Sequence, residues 1–439
     1  MQKDNKLSPW LWIPTLYFAE GIPYFLVNNV SVMMLTRMGV SNGLMALHTS
    51  LLYLPWVIKP LWGPFVDIVR TKRWWIILTQ IALSACFVGL TLSIPQPSAE
   101  TIAAAETGIG VFSVMLCIFW LTAFLSATHD IAADGFYMLA LDEGDQSLFV
   151  GIRSTFYRLS MIFGQGVLIT LAGYLEKSTG NIPFAWQMTL LGASVLFAVI
   201  TLWHTFALPR VEKNNYEKKK TAGEILRDFG ETFVSFFSKK GIGLALVFML
   251  LYRLPEALLI KIINPFFVDQ KTNGGLLLQT EQVGIIYGTV GVIALTIGGI
   301  LGGLFVARYG LKHSLWWMAL AITLPDAVYV WLSYSQPDNI LWISTAIALE
   351  QFGYGFGFSA YMLYLIYYSM GEHKTSHYAL CTAFMALSMM IPGLFAGALQ
   401  EAVGYQAFFL IVVAACSLTY IVTAFLKIDP EFGKKKAEA

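Results

Sequence analysis

The chain alternates long apolar runs with short polar connections. Crossing the hydrocarbon core of a bilayer takes about 20 apolar residues in a helix. Twelve runs reach that length, at residues 9–37, 44–66, 74–95, 110–141, 149–175, 184–207, 241–268, 282–307, 314–335, 340–370, 376–402 and 405–427. The pattern predicts an all-α membrane protein with twelve transmembrane helices. The first run is followed by no small-residue cleavage site, so we expect it to be a retained helix and not a signal peptide.

The composition excludes several classes of protein. Of 439 residues, 57% are hydrophobic and 13% are charged, whereas a soluble domain has roughly 25% charged residues. The net charge of +1 provides no field that would attract nucleic acid. The four cysteines lie in apolar runs without the spacing of a disulfide framework or a zinc site. We therefore expect no enzymatic activity, no cofactor, no metal and no nucleic-acid partner.

Lysine and arginine are concentrated in alternate connections, while the opposite connections contain only Arg37, Lys177 and Lys271. Because cytoplasmic loops carry the excess of Lys and Arg, both termini are predicted to be cytoplasmic. The longest polar stretch, residues 209–240, is basic and separates six runs from six. We expect it to be a cytoplasmic linker between an N-terminal half, 1–208, and a C-terminal half, 241–439, with a short surface helix over 225–237.

A repeated motif supports two halves. The sequence Gly-Pro-Phe-Val-Asp at 63–67 has a counterpart, Gly-Leu-Phe-Val-Ala, at 303–307, and a basic residue and two tryptophans follow both. The offset of 240 residues predicts two parallel six-helix repeats, the arrangement of major facilitator transporters, in which the substrate binds near the membrane midplane.

The first copy of the motif also predicts a gate. Gly63 is expected to let helices approach closely. Four charged residues, Asp67, Arg70, Lys72 and Arg73, are expected to form a cytoplasmic charge cluster that holds one conformation closed. Simple anchoring by the positive-inside rule explains the basic residues equally well.

Ionisable residues inside apolar runs are costly and are functional candidates for that reason. The acids assigned to proton coupling are Glu20, Asp130, Asp134, Glu256 and Glu350, and the bases noted within runs are Lys59, Arg158, Arg253 and Lys261. Asp130 and Asp134 are four residues apart and share a helix face. Two such carboxylates require a retained proton or a cation between them, for which Arg158 is the expected candidate. An inert salt-bridge network is the alternative.

Other polar and aromatic residues within runs are assigned to substrate binding. This set is Asn28, Asn29, His129, Tyr157, Arg158, Gln165, Arg253, Lys261, Asn264, Gln351, Tyr354 and Tyr361. Arg253 and Glu256 are spaced so that they can also neutralise one another. In the tenth run, glycines at 353, 355 and 357 are expected to loosen the helix, while its aromatic rings either stack on sugar faces or pack between helices.

Taken together, these motifs resemble those of the AmpG-like muropeptide permeases, a branch of the major facilitator superfamily grouped with peptide and acetyl-coenzyme A transporters. The matching segments are residues 18–23, 59–64 with Asp67, 130–134, 157–159, 251–253 with Glu256, and 350–351 before a glycine-rich run. The resemblance implies proton-driven import of N-acetylglucosaminyl-anhydro-N-acetylmuramyl peptides across a bacterial inner membrane. It also implies pathway or coupling roles for Asp130, Asp134, Arg158 and Arg253.

The sequence departs from the family pattern in three places. Glu20 stands where a small polar residue is common in the family, and Glu256 stands in place of an aspartate. Where the family has a small residue followed by tryptophan, this sequence has Gly135 followed by Phe136. These departures leave a disaccharide or oligosaccharide symporter open as an alternative, as well as a transporter-derived membrane sensor. No Walker-type glycine loop is present, so an ion gradient is the expected energy source. The expected partners are the lipid bilayer, a small glycan or glycopeptide and protons, and we expect a monomer.

Overall fold

The computed structural model describes residues 8–95, 110–211, 222–371 and 373–434, which are almost entirely helical and contain no strand. Twelve spanning helices lie at the predicted runs. They cover 13–37, 42–68, Lys72–Ser93, Ser113–Ala140, 143–179, Ile182–Ala207, Ile242–Val268, Thr280–Tyr309, Leu311–Ser335, Ile340–Ser369, 374–403 and 405–425, and are called the first to twelfth helix. Gly404, with φ 76° and ψ 166°, separates the last two within Lys374–Phe425.

Length and composition by themselves qualify eight of the described helices as membrane spans, when Lys374–Phe425 is counted as one. The first, second and tenth helices fall outside that criterion. An additional amphipathic helix, Ala222–Phe237, lies in the predicted linker and is called the linker helix.

Several spanning helices are interrupted. The first and fifth helices contain π-helical segments at Leu26–Val30 and Ile162–Leu168, and the second helix contains a 3-10 turn at Lys59–Leu61. The seventh helix breaks between Ile242–Leu251 and Leu254–Val268. Such interruptions release backbone groups from the regular hydrogen-bond pattern and are common at functional sites.

The contacts divide the chain into two compact units. One unit comprises Met1–Gly39 with Ile58–Phe229, and the other comprises Val40–Val57 with Gly230–Ala439. Residues 40–57 belong to the second unit because the start of the second helix packs on the eleventh helix. Asn42 Nδ2 donates to Gln400 Oε1 at 2.6 Å, and a Cβ on Gly397 would lie 1.9 Å from the Asn42 carbonyl oxygen. The predicted division at 209–240 had assigned the whole second helix to the N-terminal half.

Each unit has its own aromatic core. In the first unit the rings of Trp12 and Phe136 meet edge to face with centroids 5.2 Å apart. In the second unit Phe248, Tyr252 and Tyr361 are fully buried, and the rings of Phe248 and Tyr252 both stack on that of Tyr361. Phe236 of the linker helix joins this second core with no exposed surface. The last part of the linker helix, residues 230–237, is therefore anchored in the second unit through Phe236, while Phe233 and Val234 are exposed.

The glycines of the tenth helix serve packing and not flexibility. A Cβ on Gly353 would lie 2.1 Å from the carbonyl oxygen of Ala321, and one on Gly355 would lie 2.0 Å from that of Leu295. The ninth and eighth helices therefore pack backbone to backbone against a continuous tenth helix. The prediction that these glycines loosen the helix is wrong. The close-packing role predicted for Gly63 is wrong as well, since a Cβ there would meet no described atom within 4 Å.

Candidate functional site

Five charged side chains of the first unit converge on one region, and we call them the N-terminal ionic cluster: Glu20, Lys59, Asp130, Asp134 and Arg153. Lys59 Nζ lies 2.5 Å from Asp130 Oδ2, and Arg153 Nη2 lies 2.8 Å from Asp134 Oδ1. Both aspartates predicted to share a helix face are therefore paired with a cation, one with each.

Local structure explains how these side chains meet. Asp130 and Asp134 are one turn apart on the uninterrupted fourth helix, so they point to the same side. Lys59 begins the 3-10 turn that interrupts the second helix, and Glu20 lies one turn before Pro23 of the first helix. Arg153 is on the fifth helix, which packs along the first helix.

Two tyrosines hold Arg153 and Asp134 in place. Tyr17 Oη donates to Asp134 Oδ1 at 3.3 Å. The Arg153 guanidinium lies 4.4 Å from the ring centroid of Tyr17 and 5.2 Å from that of Tyr137. Cation–π contacts stabilise the guanidinium in addition to the ion pair. The two tyrosines therefore help to fix the positions of Arg153 and Asp134.

Glu20 is the member of the cluster without a cation partner. Its side chain is buried and lies in hydrogen-bond contact with Asp130. Its Oε2 has no hydrogen-bond partner among the described residues. A carboxylate is only an acceptor, so a hydrogen bond between two carboxyl groups requires a proton on one of them.

The structure corrects the cation assignment. Arg158 was expected to lie between the two aspartates, but their salt-bridge partners are Lys59 and Arg153. Sequence reasoning had noted Lys59 without giving it this role and had missed Arg153. The same criterion, a base inside an apolar run, applies to Arg153 within 149–175.

His129 also has a different place from the one predicted. It is fully buried, with Nε2 2.9 Å from Gln80 Nε2. Gln80 Oε1 lies 2.9 Å from His204 Nδ1, and His204 Nε2 lies 2.9 Å from Thr15 Oγ1. This chain of polar groups joins the first, third, fourth and sixth helices, so His129 belongs to helix packing and not to an open substrate site.

The predicted amides of the first unit lie in the π-helical segments. Asn28 and Asn29 are in the segment of the first helix, Gln165 is in that of the fifth, and all three are buried. Asn28 Nδ2 donates to the Tyr24 carbonyl oxygen at 3.1 Å, while its Oδ1 has no partner among the described residues. The Tyr157 ring packs beside the first helix, 5.5 Å from the ring of Phe25. The two segments pack against each other, which brings these four candidates into one region.

Of the predicted gating residues, the side chains of Arg70, Lys72 and Arg73 are described, and the charge cluster with Asp67 stays a prediction. Arg73 donates from Nε and Nη2 to the carbonyl oxygens of Leu208 and Thr205, at 3.0 and 2.6 Å, and so caps the end of the sixth helix. Lys72 is buried against the fourth helix, and Arg70 is exposed with a φ of 63°. The Asp67 side chain lies outside the described residues.

Three buried carboxyl groups meet in the second unit, and we call them the C-terminal carboxyl triad: Glu256, Asp326 and Glu350. One oxygen from each lies within 4.8 Å of the others. Tyr329 Oη and Gln351 Nε2 both donate to Glu350 Oε2 at 2.9 Å. Asp326 was missed from the sequence, although it is an acid within the apolar run 314–335 and follows a proline.

Arg253 faces aromatic rings. Its Nη2 donates to Tyr354 Oη, and its guanidinium lies 4.6 Å from the ring centroid of Phe358 and 5.7 Å from that of Tyr361. Tyr361 is fully buried and donates to the Met249 carbonyl oxygen at 2.8 Å. Tyr361 is therefore part of the core, whereas Arg253 and Tyr354 remain at its edge. The salt bridge considered between Arg253 and Glu256 is not formed among the described residues.

The remaining predicted base of the second unit, Lys261, is fully buried. Its Nζ donates to Thr49 Oγ1 at 3.1 Å and lies 5.1 Å from the centroid of the Tyr53 ring. Asn264, one turn further along the seventh helix, is also buried, and its Oδ1 has no partner among the described residues. Lys261 and Asn264 are therefore two buried polar groups of the seventh helix, and no salt bridge joins Lys261 to an acid among the described residues.

Comparison with known proteins gives one coherent result. Residues 15–369 match the family model of the Major Facilitator Superfamily. Two relatives are 25% identical to the chain and cover 91% of it: "Putative transporter AmpG 4" of Rickettsia conorii, 91% of whose length is covered, and "Anhydromuropeptide permease" of Escherichia coli K12, 76% of whose length is covered.

Among solved structures, the nucleoside transporter NupG superposes with a TM-score of 0.66 at 15% identity, covering 95% of this chain and 99% of that one. At this identity the likeness concerns the fold. The family match, the twelve-helix order and the named relatives agree with the fold and the resemblance predicted from the sequence. The chain is an AmpG-like, multi-pass membrane transporter that belongs to the Major Facilitator Superfamily.

Proposed function

We propose that this protein imports muropeptides, N-acetylglucosaminyl-anhydro-N-acetylmuramyl peptides, or closely related glycans, by proton-coupled alternating access. Its place would be a bacterial inner membrane, with both termini in the cytoplasm. The substrate class rests on similarity to AmpG-type relatives over nine-tenths of the chain. The orientation rests on the distribution of Lys and Arg.

One observation supports proton coupling more than any other. Glu20 is buried in hydrogen-bond contact with Asp130, which is itself paired with Lys59. A proton shared between two carboxyl groups beside a cation is easily gained or lost when the salt bridge changes partner. Among the predicted coupling acids of the first unit, we assign the transported proton to Glu20, because Asp130 and Asp134 each have a cation.

Uptake into proteoliposomes tests both parts of the proposal. Labelled anhydromuropeptide is supplied with and without an inward proton gradient, and a simple disaccharide is supplied in parallel. Gradient-stimulated uptake of the muropeptide supports the proposal. The same rate with and without the gradient would reject proton coupling.

The variant Glu20→Gln keeps the shape of the side chain but cannot exchange a proton. We expect it to lose gradient-driven accumulation while retaining exchange of labelled for unlabelled substrate across the membrane. Glu431→Gln is the matched control, because Glu431 is exposed beside Lys434 near the C-terminus. Normal accumulation by Glu20→Gln would move the proton to another acid.

A disaccharide or oligosaccharide is the second candidate substrate. The buried Arg253 lies against the partly exposed rings of Tyr354 and Phe358, and aromatic faces are suited to contact with sugar rings. Uptake of the disaccharide alone in the same assay would support this candidate and keep the mechanism.

A further inference from the structure

The C-terminal carboxyl triad combines deep burial with close approach. Glu256, Asp326 and Glu350 are 4%, 2% and 1% exposed, and they come from the seventh, ninth and tenth helices. Asp326 ends a 3-10 turn, Leu324–Asp326, that interrupts the ninth helix, and its side chain is buried. Three carboxyl groups from three helices therefore converge on one point inside the second unit.

Side chains do not balance this charge. None of the three carboxyl groups forms a salt bridge with a described residue, whereas both aspartates of the N-terminal ionic cluster do. Arg253 acts on Glu256 electrostatically, and its Nη2 donates a hydrogen bond to Tyr354 Oη. Like charges in a buried site repel strongly, and removing them from water is costly. The missing positive charge must come from a bound cation or from protons.

Unused acceptor oxygens provide a second, independent indication. Glu350 accepts two hydrogen bonds on Oε2, and its Oε1 has no partner among the described residues. Asp326 Oδ2 lies 3.5 Å from Cys416 Sγ, and its Oδ1 also has no described partner. A buried acceptor without a donor costs free energy, and a cation ligated by the free oxygen removes that cost.

The spacing and the donor type fit a hard cation. Oxygen ligands at about 2.3–2.6 Å surround calcium in proteins, so oxygens within 4.8 Å of one another can contact a single ion. A set made only of carboxylate oxygens favours hard cations over transition metals. We propose that Glu256, Asp326 and Glu350 bind one hard cation, sodium or calcium, inside the second unit. With Arg253 counted, a divalent ion neutralises the group, while a monovalent ion requires one retained proton.

Ion-dependent thermal unfolding tests this site. The full-length protein in detergent is heated while tryptophan fluorescence is followed, over a series of sodium or calcium chloride concentrations with choline chloride keeping the ionic strength constant. An ion that binds only the folded state raises the unfolding temperature in a saturable way. We expect such a rise with one of the two ions, and equilibrium dialysis with radioactive sodium or calcium is expected to find one ion per chain.

Two variants and a control make the result specific. Asp326→Asn and Glu350→Gln keep the side-chain shapes and relieve repulsion, so both are expected to fold, and each is expected to weaken ion binding at least tenfold. Asp338→Asn is the control, because Asp338 is an exposed carboxylate paired with Lys271, and it should respond like the wild type. Having two variants keeps the test decisive if one of them fails to fold.

Absence of an ion-specific rise would overturn the proposal and leave protons as the compensating charge. An equal rise in the wild type and both variants would overturn it too, since the ion would then bind elsewhere. The assay contains neither transport substrate nor proton gradient. Its failure therefore leaves the proposed transport activity untouched, and loss of that activity would not affect this result.

Discussion

The pair formed by Lys59 and Asp130 allows the sharpest test of the N-terminal ionic cluster. Their charged atoms are 2.5 Å apart, and their side chains are 20% and 18% exposed. Removing one partner of a fully buried pair costs about 3–5 kcal/mol, because the other charge is left buried and uncompensated. With this residual exposure, we expect Lys59→Met or Asp130→Asn to lower the free energy of unfolding by about 3 kcal/mol.

The double variant Lys59→Met/Asp130→Asn removes both charges and should cost less than the sum of the two single variants. The expected coupling energy is about 2 kcal/mol. The assay is reversible unfolding in mixed detergent micelles, followed by tryptophan fluorescence, for the wild type, both single variants and the double variant.

Lys271 and Asp338 provide the matched control pair, since Asp338 is 93% exposed. Exposed pairs contribute roughly 0–1 kcal/mol, so the cycle Lys271→Met/Asp338→Asn should be close to additive. If the Lys59–Asp130 cycle is equally additive, the two charges do not depend on each other and the reasoning about the cluster fails.

Three further predictions concern packing and capping. Gly355→Ala places a Cβ 2.0 Å from the Leu295 carbonyl oxygen and should destabilise the protein by about 2 kcal/mol through overpacking. In the control variant Gly303→Ala, the new Cβ meets open space, so the change should be neutral or stabilising by up to about 1 kcal/mol. Thermal unfolding compares Gly355→Ala with Gly303→Ala. Equal effects of the two variants would contradict the close packing at Gly355. Gln80→Leu removes the amide between two buried histidines and should lower the free energy of unfolding by about 2 kcal/mol. The KM for uptake should not change. A raised KM would indicate that His129 binds substrate. Arg73→Ala removes two hydrogen bonds at the end of the sixth helix and should speed amide hydrogen exchange there. A changed uptake rate with unchanged amide hydrogen exchange would instead favour the gating role.

The sequence predicted most of the acids of the two clusters, but not which bases pair with them. The rule that a charged residue in an apolar run is a functional candidate selected five acids that all take part in the two clusters: Glu20, Asp130, Asp134, Glu256 and Glu350. It also selected Lys59 but not its pairing with Asp130, because Lys59 reaches Asp130 from another helix through a local break. Which bases meet which acids depends on how helices far apart in the sequence are packed.

The misplaced residues show the same limit. His129 is next to Asp130 in the sequence, yet it points to another face of the fourth helix and bonds Gln80 of the third. The glycines of the tenth helix looked like points of weakness, but their missing side chains let neighbouring backbones approach. Neither outcome follows from residue type and spacing, because both depend on what lies across the helix interface.

By itself, the sequence determined that this is a membrane protein with twelve helices in the order of the Major Facilitator Superfamily. This follows because the length of an apolar run and the distribution of charge in the loops act locally and need no knowledge of neighbours. Only the tertiary structure decided that Arg153 neutralises Asp134, that Asp326 completes the triad with Glu256 and Glu350, and that the start of the second helix packs on the eleventh. These contacts join segments that are distant in the chain, and their free energies arise from burial and pairing that exist only once the helices are assembled.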